Sequence, residues 1–258
     1  MKFNNKNISL GLNVTLGNNV KIGDNVTIYD NVTIGDNTII CNNCIIGEPL
    51  GDYYFDESYQ NPRTFIGENS LIRSHTIIYA NNEIGDHFST GHRVTIRENC
   101  VIGSNCRVGT LSDLQGNLKI GEYSWLHSNV HVGQGTEIGN FVFVYPYVIF
   151  TNDPHPPSSY IVGSKIGDYT QIAVSSVILP GVEIGSNCLI GASTLVSKKI
   201  GNNKLVVGNP GKIIGDVESI ISKETGLSHY PWPYNFKRGM PWEDIGYDKW
   251  LKKQDYDK

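Results

Sequence analysis

Asp113 and His131 stand eighteen residues apart, and so do Gln134 and Asn152. A carboxylate that orients an imidazole makes a general base. An amide next to an Asn-Asp-Pro run can hold an acceptor group or open a turn. Arg73 and Arg97, with His75, His92 and Arg93 alongside, suit bidentate contact with a diphosphate, or serve as surface ion-pair partners. Tyr53, Tyr54, Phe55 and Tyr59 could stack on a nucleotide base or pack their own loop. His127 is a weaker candidate than His131.

Something must turn a spacing of eighteen into proximity, and the sequence supplies it. From Ile120, every sixth residue is apolar: Leu126, Val132, Ile138, Val144 and Phe150. Four positions after each phase residue comes a second small or apolar one: Ser124, Val130, Thr136, Val142 and Val148. The phase extends upstream through Leu10, Leu16, Ile22, Ile28, Ile34, Ile40 and Ile46, and from Ile66 to Leu114. It returns at Ile166 and runs to Val196. Six is the period neither of a strand nor of a helix. It is the period of a coil that turns a corner every six residues and closes a triangular rung in eighteen, with rungs stacked about 4.8 Å apart. Roughly 28 hexads predict about nine rungs. Burying each isoleucine contributes roughly 1.5–3 kcal/mol, and Gly, Asn and Asp at the corners tolerate left-handed geometry.

The predicted fold is therefore all-β, a three-sided parallel β-helix over residues 1–214. The frame slips twice, at Glu48–Arg63 and at Asn152–Gly163, where Tyr-, Asp- and Pro-rich loops leave the coil. Residues 215–258 form an aromatic tail, with a short helix expected over Asp216–Thr225, capped by Asp216 and stopped by Gly226. Cys44, Cys100, Cys106 and Cys188 all fall at the small inward corner, so Cys41-x-x-Cys44 is read as filling rather than as a metal or redox pair. A net charge of −4 gives no basic footprint for nucleic acid. No apolar run approaches the roughly 20 residues that span a bilayer, and the N-terminus lacks a signal-peptide centre. Five cysteines, an odd number, suit a reducing cytoplasm.

The repeat resembles that of the hexapeptide-repeat, left-handed parallel β-helix acyltransferases, over about Leu10 to Ile213. The run IAVSSVILPGVEIGSNCLIGASTLVSKKI followed by LVVGNPGKIIG is similar to the acyl-CoA end of that family. The resemblance implies acetyl-CoA as co-substrate and no metal. It implies that Ala173, Ser176 and Ala192 leave room for the pantetheine arm beside the Gly-Asn-Pro-Gly turn at Pro210. Lys198, Lys199 and Lys212 would then meet the phosphates. The Tyr-rich loop together with FTNDPHPP is similar to enzymes that N-acetylate nucleotide-linked amino sugars, nearest to dTDP-3-amino-3,6-dideoxyhexose N-acetyltransferases. That likeness implies a homotrimer with active sites between neighbouring prisms.

The same likeness puts Gln134 where relatives carry a histidine base. An amide takes no proton at neutral pH, so the departure implies direct attack by the sugar amine on the thioester, with Gln134 orienting it. The backbone N–H of Asn152 would polarise the acyl carbonyl, and the Asn152 and Asp153 side chains would face the sugar. A His131/Asp113 general base is the rival mechanism. O-acetylation of a small acceptor and a non-catalytic scaffold are further alternatives. A zinc hydratase built on His87 and His92 lacks a third histidine two rungs earlier.

Overall fold

The computed structural model describes residues 4–256. Among them, strands mostly two or three residues long stack into three sheets of 10, 9 and 11 strands, parallel throughout except for the last strand of the third. Successive strands take the three sheets in turn, which makes a three-sided solenoid, the left-handed parallel β-helix expected from the hexads. Its sides are named here faces A, B and C. Along the body of the coil, partners are eighteen residues apart where no loop intervenes: Asp113 pairs with His131 on A, Lys119 with Glu137 on B, and Arg107 with Trp125 on C, whereas the last rung is shorter and pairs Leu189 with Leu205. The stack is taller than the nine rungs expected: face A alone carries ten strands, and a C-terminal hairpin, Lys204–Val207 against Lys212–Asp216, extends face C further.

In each strand the phase residue points inward and the residue before it outward. Ile28, Ile46, Ile78, Ile96, Val132, Phe150 and Ile178 are all fully buried, one above another behind face A. The small corner positions are also buried. Several carry a hydroxyl that bonds to backbone groups of the next rung, as Ser124 Oγ does by donating to Gly139 O at 2.7 Å and accepting from Val142 N at 3.0 Å. Such pairing removes the cost of a buried polar group. Cys44, Cys100, Cys106 and Cys188 fill the same positions, and burial pushes the thiols of Cys44 up to about 11 and those of Cys100 and Cys106 up to about 12.

Corners turn through left-handed backbone, mostly at asparagine, for example Asn81, Asn99 and Asn117 at φ 63°, 60° and 50°. The corner before face C opens on glycine for a different reason. At Gly121 a Cβ would lie 2.6 Å from Asn140 Oδ1, the oxygen that caps the N–H of Glu122 at 2.8 Å.

The tail departs from expectation. Asp216 does not cap a helix. Its backbone pairs with Lys204 across the hairpin and its carboxylate binds Lys204 Nζ at 2.5 Å. One 3₁₀ turn, Val217–Ser219, follows, and the α-helix lies later, at Tyr247–Tyr256. Between them Trp232, Phe236, Met240 and Trp242 pack against Trp125, Phe141 and Phe143 along face C, joined by Trp250 from the helix. Tyr123, Phe141 and Tyr169 form a stacked column at one corner, with centroids 5.2 and 4.8 Å apart, and Trp232 Nε1 donates to Tyr169 O at 3.0 Å. Among the described residues no helix is long and apolar enough to cross a membrane.

Candidate active site

Both long loops leave the same corner, the one between faces A and B. The first connects Ile45–Glu48 on A to Thr64–Ile66 on B, and the second Ile149–Phe150 on A to Lys165–Ile166 on B. Between their roots, face A presents Asp113 and His131.

The imidazole Nδ1 of His131 sits 3.3 Å from Asp113 Oδ2. Gln115 Nε2 donates to the same carboxylate oxygen. These contacts, the His131 hydrogen bond first, hold the Asp113 carboxyl below the usual carboxylate range. With Nδ1 turned to a carboxylate, Nε2 is the nitrogen left to exchange a proton with a substrate. Gln115 was not anticipated from the sequence. Its only signal is position, two residues past Asp113 at the A–B corner.

Gln134 and Asn152 also come together. Gln134 is half-buried at the corner that follows His131, and Asn152 occupies the same corner one rung on. The Asn152 side chain lies over Gly133, where a Cβ would be 3.1 Å from Asn152 Cγ and 2.9 Å from Phe150 O. Asn152 O accepts from Val162 N at 2.8 Å, which closes the base of the second loop. No protein acceptor for its own N–H appears among the described residues.

Above His131, the outward row on face A continues as Ile149, Val177 and Leu195, each the direct partner of the last. Three rungs make this apolar track about 14 Å long. It ends under the Gly208–Gly211 turn, whose ends grip Leu195: Leu195 N donates to Gly208 O at 3.1 Å and Gly211 N to Leu195 O at 2.8 Å. The Asn209–Pro210 peptide in that turn is cis and Pro210 is exposed.

Other expected residues lie elsewhere. Ser176 is fully buried, its hydroxyl bonded to Ala173 O and Gly191 O, both at 2.9 Å, so it cannot line a groove. Ala173, half-buried, and Ala192, exposed, lie on the C–A edge of face A, with exposed Lys212 just past the turn. Lys198 and Lys199 lie on the opposite edge, and Lys199 is paired with Glu183 at 2.6 Å. The Asp153 carboxylate is spent within its own loop, accepting from His155 N, Ser158 N and Ser158 Oγ at 2.9, 2.8 and 2.7 Å. It organises the loop rather than facing an acceptor. Arg97 is clamped by Glu98 through two hydrogen bonds of 3.0 and 2.9 Å. Arg73 leaves the far edge of face A, so the two arginines do not converge. Tyr53 packs edge-on against Tyr29, Tyr54 and Tyr59, and Tyr54 Oη donates to Glu48 Oε1 at 3.1 Å. These rings pack on one another at the surface of the loop, with Tyr53 and Tyr54 still exposed, and Phe55, 92% exposed, is its open tip. His127 lies flat on Tyr145, centroids 4.8 Å apart, and burial lowers its basicity.

Residues 13–48 and 163–198 match the family described as bacterial transferase hexapeptide (six repeats), and residues 93–111 match the hexapeptide repeat of succinyl-transferase. The chain is 25% identical over 180 residues to the bifunctional protein GlmU of Acaryochloris marina, covering 62% of this chain and 36% of that protein. It is 30% identical over 128 residues to the putative acetyltransferase YJL218W of Saccharomyces cerevisiae, covering 46% and 64%. It spans about a third of the length of the GlmU proteins it matches. Among solved structures, LpxA, a UDP-N-acetylglucosamine acyltransferase from Bacteroides fragilis, is similar at 16% identity and a TM-score of 0.39, over 84% of this chain and 74% of that one.

Proposed function

We propose that this protein is an acyl-CoA-dependent N-acyltransferase acting on the amino group of a nucleotide-linked amino-deoxy sugar. One observation carries the reading: the row Asp113–His131–Ile149–Val177–Leu195, which joins a carboxylate-held imidazole to the Gly208–Gly211 turn by an apolar track. An apolar strip beneath a tight backbone turn suits a thin pantetheine arm, and exposed Lys212 just past the turn suits its phosphates. Bound there, acyl-CoA would supply an activated thioester carbonyl. The transferase character of the matched repeats agrees with this reading.

The chain's own residues divide the work. Asp113, steadied by Gln115, keeps the proton of His131 on Nδ1. His131 Nε2 accepts the amine proton as the new N–C bond forms, then returns it to the sulfur as the C–S bond breaks. The amide of Gln134 orients the amine, and the Asn152 N–H faces the carbonyl oxygen. Of the two mechanisms open from sequence, the 3.3 Å contact favours the one with His131 as base. The reading includes a homotrimer, in which a neighbouring prism would cover the exposed rings of Tyr145 and Tyr147 beside this face.

The test is thioester cleavage. Purified protein is mixed with acetyl-CoA and a panel of nucleotide amino sugars, and free thiol is followed. Turnover that falls roughly 10²–10⁴-fold in His131→Asn at unchanged substrate binding supports the reading. Turnover that survives in His131→Asn but fails in Gln134→Ala returns the mechanism to unaided attack. Silence across the panel overturns the transferase reading.

A further inference from the structure

On the other side of the A–B corner, at the root of the first loop, lies a recess of about 550 Å³, a size typical of small-ligand sites. Its floor is a row on face B, Phe65, Glu83 and Val101, each paired directly with the next. Its rim holds Arg63, Asn81 and Asn99. Phe65 is half-exposed and Val101 47% exposed, so the floor has an aromatic and an aliphatic surface on either side of the Glu83 carboxylate. Arg63 and Glu83 are both exposed and share the recess, yet among the described residues neither takes part in an ion pair.

We infer that this recess binds the guanine base of a guanosine diphosphate. A flat base can stack on Phe65. Arginine fits the adjacent O6 and N7 acceptors of guanine bidentately. A carboxylate beside it accepts from N1–H and the 2-amino group, the donors on the neighbouring edge. Thymine and uracil offer a single N–H between two carbonyl oxygens, which would face the Glu83 carboxylate unfavourably. Adenine lacks the N1–H and presents an amino group to the arginine. The amide row Asn81–Asn99–Asn117 then leads along the corner toward Gln134, three rungs or about 14 Å from Asn81. A ribose and a diphosphate laid along that row would carry a sugar to Gln134 and His131. The inference rests on the nucleotide-sugar reading above and replaces the expected thymidine nucleotide with a guanosine one.

Binding is measured apart from turnover, by calorimetric titration of the full chain with GDP, UDP, dTDP and ADP. GDP is expected to bind tightest, by roughly tenfold or more, and that preference is expected to collapse in Glu83→Gln and in Arg63→Met. Both side chains are exposed, and unchanged circular dichroism and thermal midpoint would show that the variants are folded. Equal binding of dTDP or UDP overturns the inference, as does full GDP affinity in Glu83→Gln. GDP binding that depends on Glu83 without thioester cleavage leaves the recess standing and removes the transferase reading. Turnover of a thymidine-linked amino sugar, unaffected by Glu83→Gln, does the reverse.

Discussion

Asp113 and His131 are direct strand partners on one face, and their side chains meet at 3.3 Å. The contact favours the ionised carboxylate, which is why Asp113 titrates below its usual range. A depressed carboxyl contributes stability in full above its unfolded pKa, about 3.9, and loses it as pH falls through the folded value. Thermal midpoints of wild type and Asp113→Asn should therefore differ above pH 5 and converge below pH 4. A gap that stays constant down to pH 2 would mean that the pair does not hold Asp113 ionised.

Gly133 is the floor on which Asn152 rests. Gly133→Ala places a methyl 2.9 Å from Phe150 O and 3.1 Å from Asn152 Cγ, so the corner must shift. Overpacking of this kind costs about 1–3 kcal/mol. Turnover should fall at least tenfold, well beyond what the loss of stability explains at 25 °C. The check is kcat beside a melting curve, and a variant with native kcat refutes a role for this corner.

The cysteines give an alkaline signature. Thiols of Cys44, Cys100 and Cys106 held at about 11 to 12 contribute stability that is complete below the unfolded value, about 8.5, and is lost as pH rises toward the folded values. Stability should decline from pH 9 upward, and less so in Cys106→Ser. In the native protein at pH 8, Cys41, which is only half-buried, should react first with a thiol reagent, and the four buried cysteines only on unfolding.

Ser124 serves two rungs at once through Gly139 O and Val142 N. Ser124→Ala leaves both backbone groups without that partner, an expected loss of about 1–3 kcal/mol in urea unfolding. A loss below 0.5 kcal/mol would mean that water or a shifted backbone replaces the hydroxyl.

Trp232 ties the tail to face C. Trp232→Ala should cost about 3–5 kcal/mol of docking, seen as early proteolysis after Gly215 with the strand signal in circular dichroism unchanged. Simultaneous loss of strand signal would show that the coil depends on the tail.

Most of the coil was legible because its period maps each residue to one face without ambiguity. Ile96, Val132 and Ile178 could hardly lie anywhere but inside. The Asp113–His131 contact followed from the same arithmetic. The apolar track did not, since Ile149 and Val177 are 28 residues apart and the second loop hides their pairing. Arg97 and Asp153 looked available by type, but local partners two residues away or nearer engage them first, Glu98 for one and His155 N for the other. Spacing does not report where a long side chain ends. The tail was misjudged at Asp216 because a good capping residue sits there in an antiparallel ladder, and tertiary pairing overrode local preference.

That both loops spring from one corner has an evolutionary corollary. A deletion of eighteen residues between them would draw the loops together by one step of about 4.8 Å and leave every side chain facing as before. A deletion of six would swing all that follows by a third of a revolution, carrying the second loop to a different flank. Separation between the two loops can thus be adjusted only in whole steps, and a lineage that needs them nearer or farther apart must gain or lose complete triangles.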